Sequence, residues 1–126
     1  MKNISKFSRY QLPAIIWAIV IFIESSIADL APPTLEIEYQ DKIAHIIVFG
    51  ILGYLITRAF YYNSTSNIRK FAALLSIIVA LLYGISDEIH QYYVPGRYSE
   101  FGDVVADFIG ILLAQLFFVY RRKFAG

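Results

Sequence analysis

Residues 68–91 read IRKFAALLSIIVALLYGISDEIHQ. From Phe71 to Ile85 the run is apolar apart from Ser76 and Gly84, and it then turns abruptly into Ser86-Asp87-Glu88-Ile89-His90-Gln91. A helix of roughly 20 apolar residues crosses about 30 Å of hydrocarbon. This stretch, taken as 68–89, has that length, and three others resemble it: about 10–27, 43–60 and 104–120. Polar breaks separate them. Residues 28–40 hold Pro32-Pro33, residues 61–67 are rich in Asn and Ser, and residues 92–102 contain the turn signal Pro95-Gly96. Pro13 is expected in the first turn of the first span, where a missing N–H is tolerated.

Composition agrees. The 126 residues are 58% hydrophobic and 17% charged, against roughly 45–50% and 25% in soluble domains. This balance excludes a disordered chain, a basic nucleic-acid module, and a collagen-like or coiled-coil rod. The absence of Cys excludes disulfides, a thiolate nucleophile and a Cys metal site. The length suits one unit. The expected fold is therefore all-α: an integral membrane four-helix bundle forming a single domain over 1–126. The N-terminal run superficially matches a cleavable signal ending at Ser26-Ile27-Ala28. Its polar close, Glu24-Ser25-Ser26, matches the other outer helix ends, so it is read as a span.

Charge sets the orientation. Lys2, Lys6, Arg9, Arg58, Arg69, Lys70, Arg121, Arg122 and Lys123 fall on one side of a four-span arrangement; only Lys42 and Arg97 fall on the other. Basic flanks stay inside, so both termini are expected in the cytoplasm. All ten acidic residues fall on the outer side, which the inside rule does not require. Ala72, Ser76, Ala80 and Gly84 repeat every fourth residue in the third span, and Gly102, Ala106, Gly110 and Ala114 do so in the fourth. Small stripes let helix backbones approach closely in lipid. The two stripes are expected to face each other in an antiparallel hairpin, with the inner half of the bundle apolar.

The acids arrive at the outer end of that contact. Asp41 and His45 share a face of the second span. Glu88 and Gln91 close the third, and Asp103 and Asp107 share a face of the fourth. Ionisable groups about one turn inside the hydrocarbon edge are costly unless they face a bundle interior or water and have partners. They therefore point to a polar pocket open to the outer side. His45, Glu88 and Asp107 are the acid–base candidates. Asp41, Lys42, Gln91, Arg97, Asp103, Ser25 and Ser26 are the binding candidates. Arg97 is expected to pair with Glu88 or Asp107, or to clamp a phosphate or carboxylate. Carboxylates with His can also take a divalent cation, although no HExxH-type motif fixes a ligand set. Simpler roles exist for some residues. Asp29, Glu36, Glu38 and Glu100 suit solvated loops, Lys42 can snorkel, and Asp41 and Asp103 can cap helices.

Asp41-Lys42-Ile43-Ala44-His45, Ser86-Asp87-Glu88-Ile89-His90-Gln91, Pro95-Gly96-Arg97 and Asp103-Val104-Val105-Ala106-Asp107-Phe108-Ile109-Gly110 together resemble the VanZ-like family of small bacterial membrane proteins. The resemblance implies a four-helix cell-envelope protein with these residues clustered, in a family named for an association with teicoplanin resistance. It supplies no reaction. Three functions stay open. One is an outward-facing site that binds or modifies a lipid-linked or anionic envelope amphiphile. Another is a small dimeric ion-coupled transporter. The third is a structural or regulatory membrane subunit. A homodimer is an option in each, the bilayer is a partner in all, and nucleic acid is not expected. A transporter would place its charges near the bilayer midplane, whereas here they gather at one face.

Overall fold

The computed structural model describes residues 2–27, 35–62, 65–97 and 99–124, and every regular element among them is helical. Asp29 and Pro32-Pro33 lie outside the described residues, as do the side chains of Glu36 and Glu38. The order is α1 (Lys2–Lys6), a π-helical turn (Phe7–Gln11), α2 (Leu12–Ser26), α3 (Leu35–Tyr61), α4 (Ser66–Lys70), α5 (Ala72–Tyr92) and α6 (Phe101–Phe124). Four stretches are long and apolar enough to cross a membrane: Ile4–Ser26, Gln40–Tyr61, Ala72–Tyr92 and Phe101–Phe124. The chain is thus an all-α, multi-pass membrane protein.

Pro13 lies in the first turn of α2, as the sequence suggested. Helical backbone continues before it, and the π-helical turn immediately preceding absorbs the missing N–H. In a regular α-helix the N–H of residue 13 would bond to the carbonyl of Arg9. Proline has no such donor. The Arg9 carbonyl instead accepts from Arg58 Nη2 at 3.4 Å, so a side chain of α3 satisfies a backbone group freed in the first helix. This helix is the least buried of the four. Side-chain bonds to backbone carbonyls fasten it: Trp17 Nε1 to Val48 at 3.0 Å, Gln11 Nε2 to Ala59 at 3.4 Å, and Tyr83 Oη to Ala18.

The expected contact between the two small stripes is corrected. The fourth-span stripe packs chiefly on α3, not on α5. A Cβ added at Gly50 would lie 3.3 Å from the Gly110 carbonyl oxygen, and one added at Gly53 would lie 3.3 Å from Ile111 Cα. The backbones of α3 and α6 therefore meet at glycines, the close approach that small residues permit in lipid. The α5 stripe is buried throughout at Ala72, Ser76, Ala80 and Gly84. Gly84 faces Asp107 of α6 and Phe49 of α3. The core between these helices includes Phe49, Leu52, Ala80 and Ile111.

Nor is the inner half wholly apolar. Thr57 Oγ1 lies 2.8 Å from Ser76 Oγ and 3.0 Å from Gln115 Oε1, all three residues buried. Thr57 Oγ1 and Ser76 Oγ also lie 2.7 and 2.9 Å from the Gly53 carbonyl oxygen, which can accept from either hydroxyl. The members satisfy one another, so this cluster joins α3, α5 and α6 without offering a polar path.

Candidate functional site

The C-terminal ends of α2 and α5 meet the N-terminal parts of the second and fourth spans at one end of the bundle. His45 of α3 points across to α6, with its Nδ1 2.7 Å from Asp107 Oδ1. The carboxylate can only accept there, so Nδ1–H donates and Nε2 is left for another partner. Nε2 stands 3.7 Å from Asp41 Oδ1 and 3.9 Å from Asp103 Oδ1. Glycine makes the pair possible: the small Gly84 leaves room for the Asp107 side chain. Asp107 is fully buried, and its Oδ2 has no hydrogen-bond partner.

Glu88 approaches the same place from α5. Its Oε2 lies 3.1 Å from Ser99 Oγ, while its Oε1 is buried and unpartnered. His45, Glu88 and Asp107 each offer a ligand atom within 4.8 Å of the others, and all three are buried. Two orphaned carboxylate oxygens in this cluster are unusual, because buried polar atoms are nearly always paired. The arrangement is one that a divalent cation would complete. A second trio, Asp41, His45 and Asp103, has similar spacing. There Lys42 already supplies a cation, at 2.5 Å from Asp103, 3.0 Å from Glu100 and 3.9 Å from Asp41.

The remaining candidates divide. Gln91 Nε2 lies 3.2 Å from both Asp87 Oδ2 and Ser25 Oγ, and Ser25 donates to Asp87 Oδ1. Ser25 and Gln91 therefore form a buried unit with Asp87 beside the His45 cluster. Ser26 faces outward, 2.9 Å from His90 Nε2. Arg97 does not pair with Glu88 or Asp107. Its Nη1 lies 3.3 Å from Glu24 Oε1 at the end of α2. The loop after Gly96, whose φ of 82° suits glycine, carries Arg97 to the α2 side of the bundle.

A cavity of about 300 Å³ lies beside part of this set, and Ser25, Ser26, Lys42, Asp103 and Asp107 are not in its lining. Trp17, Val20, Ile21, Ala44, Val48 and Phe49 form an apolar wall, and Glu24, Asp41, His45, Asp87, Gln91 and Arg97 form a polar one. Glu88 instead faces a groove between α5 and α6 that includes Ser99 and Glu100. Sequence reasoning passed over Asp87 and Glu24 as functional groups. The signal for Asp87 was its place one turn before Gln91 and one turn after the stripe at Gly84. The pairing of Glu24 with Arg97 depends on a loop path, and no sequence period encodes it.

The family model VanZ/LLP1 matches residues 2–122. An uncharacterized protein of Schizosaccharomyces pombe is 29% identical over 105 residues, which cover 83% of this chain and 62% of the yeast protein. The chain thus spans less than two thirds of that relative's length. No solved structure matches.

Proposed function

The chain belongs to the VanZ/LLP1 family, and from that premise we propose that it binds an amphiphilic molecule of the cell envelope from within the membrane. The observation that carries this reading is the two-sided cavity: an apolar wall headed by Trp17, and a polar wall of acids, His45, Gln91 and Arg97 at one end of the bundle. Lipid pockets need this division, with a greasy wall for the chain and a few fixed polar groups for the head. The nine-to-two split of basic residues supports cytoplasmic termini, and so a site facing the extracytoplasmic side. The association of the family's name with glycopeptide resistance is in keeping with a lipid-linked envelope ligand.

The head group meets a mixed field. Glu24, Asp41 and Asp87 line the cavity with one arginine, and Glu24 already engages that arginine. A bare anionic head would be repelled. A divalent cation on His45, Glu88 and Asp107 would neutralise the two carboxylates and offer such a head a counter-charge beside the cavity. His45 acts as a cation ligand and not as a proton-transfer group, because its Nδ1–H is held by Asp107 and one ring nitrogen cannot serve both tasks. Glu88 and Asp107 serve as cation ligands in this reading.

The test is binding of a polyprenyl monophosphate to the purified full chain in detergent, with Mg²⁺ and with a chelator. Saturable binding that requires the cation and falls about tenfold or more in Arg97→Ala and His45→Ala supports the reading, tenfold being about 1.4 kcal/mol. Binding indifferent to cation and to both variants refutes it.

A further inference from the structure

The opposite end of the bundle carries a feature that the site above does not use. We infer that it is a binding site for an anionic phospholipid, with the phosphate held by Arg9, Arg58, Arg121 and Arg122 and an acyl chain lying between α3 and α6. The four arginines come from three different helices and surround one cavity of about 610 Å³. Among the described residues no Asp or Glu side chain lies at that end of the bundle. Asp and Glu are absent from residues 1–23, 42–86 and 108–126.

Tyrosines position these guanidiniums and leave their charge intact. Tyr10 stacks on Tyr62 with ring centroids 4.4 Å apart. Arg9 and Arg58 both lie against the Tyr10 ring, at 5.6 and 5.3 Å from its centroid. Arg122 lies 4.1 Å over the Tyr61 ring, and Arg121 donates to Tyr54 Oη at 2.9 Å. Each arginine has five N–H donors, and these contacts leave most of them free. Two guanidiniums lie against one ring, one of them also bonded to the other's backbone carbonyl, and an anion between them would offset their like charge. The π-helical turn at Phe7–Gln11 sets Arg9 and Tyr10 in this place, and such turns often mark functional positions.

The adjoining surface favours a lipid over a free anion. Tyr54 lines the arginine cavity and also an apolar groove of about 330 Å³ between α3 and α6. Gly50 and Gly110 belong to this groove, and Ile47, Ile51, Leu113 and Phe117 flank them. Head-group cavity and chain groove therefore adjoin at Tyr54. Basic pockets at a helix-bundle surface bind phospholipid heads by charge, and planar guanidiniums suit phosphate oxygens.

The experiment uses the full chain in a neutral detergent, with phosphatidylglycerol as the probe. Phosphatidylcholine and inorganic phosphate serve as controls, and native mass spectrometry and thermal midpoint as readouts. Phosphatidylglycerol should bind saturably and raise the midpoint, and the controls should do neither. Arg58→Gln with Arg122→Gln should weaken binding about tenfold or more, because charged hydrogen bonds to the phosphate are lost. Should that pair fail to fold, Arg121→Gln with Arg122→Gln on the exposed end of α6 gives the same comparison. Ile51→Trp, which fills the groove, should also weaken phosphatidylglycerol binding. Arg97→Ala, whose ion pair is mostly exposed, should leave the lipid response intact, which separates this site from the one at the other end. Equal response to phosphatidylcholine means bulk lipid solvation only, and equal response to inorganic phosphate means an anion site only. Either outcome, or unchanged binding in the arginine variants, overturns the proposal.

Discussion

Replacing Gly110 by Ala adds one methyl group where α3 and α6 touch. Built on the backbone, its Cβ would stand 2.9 Å from the Ile46 carbonyl carbon and 3.0 Å from Gly50 N, and closer still to the Ile46 carbonyl oxygen. Non-bonded carbon atoms prefer about 3.5–4.0 Å. All three neighbours are backbone, so no rotamer change relieves the clash, and the helices must part by roughly 0.5–1 Å. Overpacking of this kind costs about 1–3 kcal/mol, with the rigid surroundings placing it toward the upper value. Exchanging Gly for Ala inside a helix returns about 1 kcal/mol. The net expectation is a loss of about 2 kcal/mol. Gly102→Ala is the matched control. Its Cβ would meet only the flexible Lys42 side chain, at 3.1 Å from Cε and 3.5 Å from Nζ, so it should be neutral or slightly stabilising. The assay is the unfolding midpoint of both variants in one detergent. Gly110→Ala matching Gly102→Ala would refute the claim that α3 and α6 are welded at these glycines.

Other expectations follow from single contacts. His45→Ala leaves Asp107 buried without its partner and should cost about 3–5 kcal/mol; Asp107→Asn, which keeps the shape, should cost less in the same denaturation assay. Thr57→Val removes a bonded hydroxyl shared with Ser76 and Gln115 and should cost about 0.6 kcal/mol, and no more than about 1.7, the average and maximum for such bonds in membranes. Arg97→Ala breaks a pair whose Glu24 partner is mostly exposed, so it should change stability by less than about 1 kcal/mol while weakening the amphiphile. A reporter fused after Lys123 should read as cytoplasmic, and an external reading would reverse the side assigned to the site.

The helices were legible because spanning lipid demands long apolar runs, and few soluble designs imitate residues 71–85. The small stripes were legible as packing surfaces, but their partner was not. Periodicity gives the face of a helix and never the neighbour, and Gly50 and Gly53 of α3 are spaced by three rather than four. The π-helical turn escaped because Pro13 also suits a first turn, and only the reach of Arg58 to the Arg9 carbonyl makes the longer helix workable. The nearness of His45, Glu88 and Asp107 follows from one physical demand: ionisable groups inside the hydrocarbon edge must face one another. The position of Arg97 obeys no such demand. It sits near the surface, and the local loop path decides its partner.

Trp17 gives the most direct test of the central claim, that the cavity beside His45 and Arg97 takes an envelope amphiphile. It is the chain's single tryptophan and part of the cavity's apolar wall, with its indole N–H bonded to Val48. Its emission, measured on the full chain during titration with a polyprenyl monophosphate and Mg²⁺, should shift saturably. The shift should be lost in Arg97→Ala and kept in Arg58→Gln/Arg122→Gln. An emission spectrum that does not respond, or one that responds equally in all three proteins, would contradict the account.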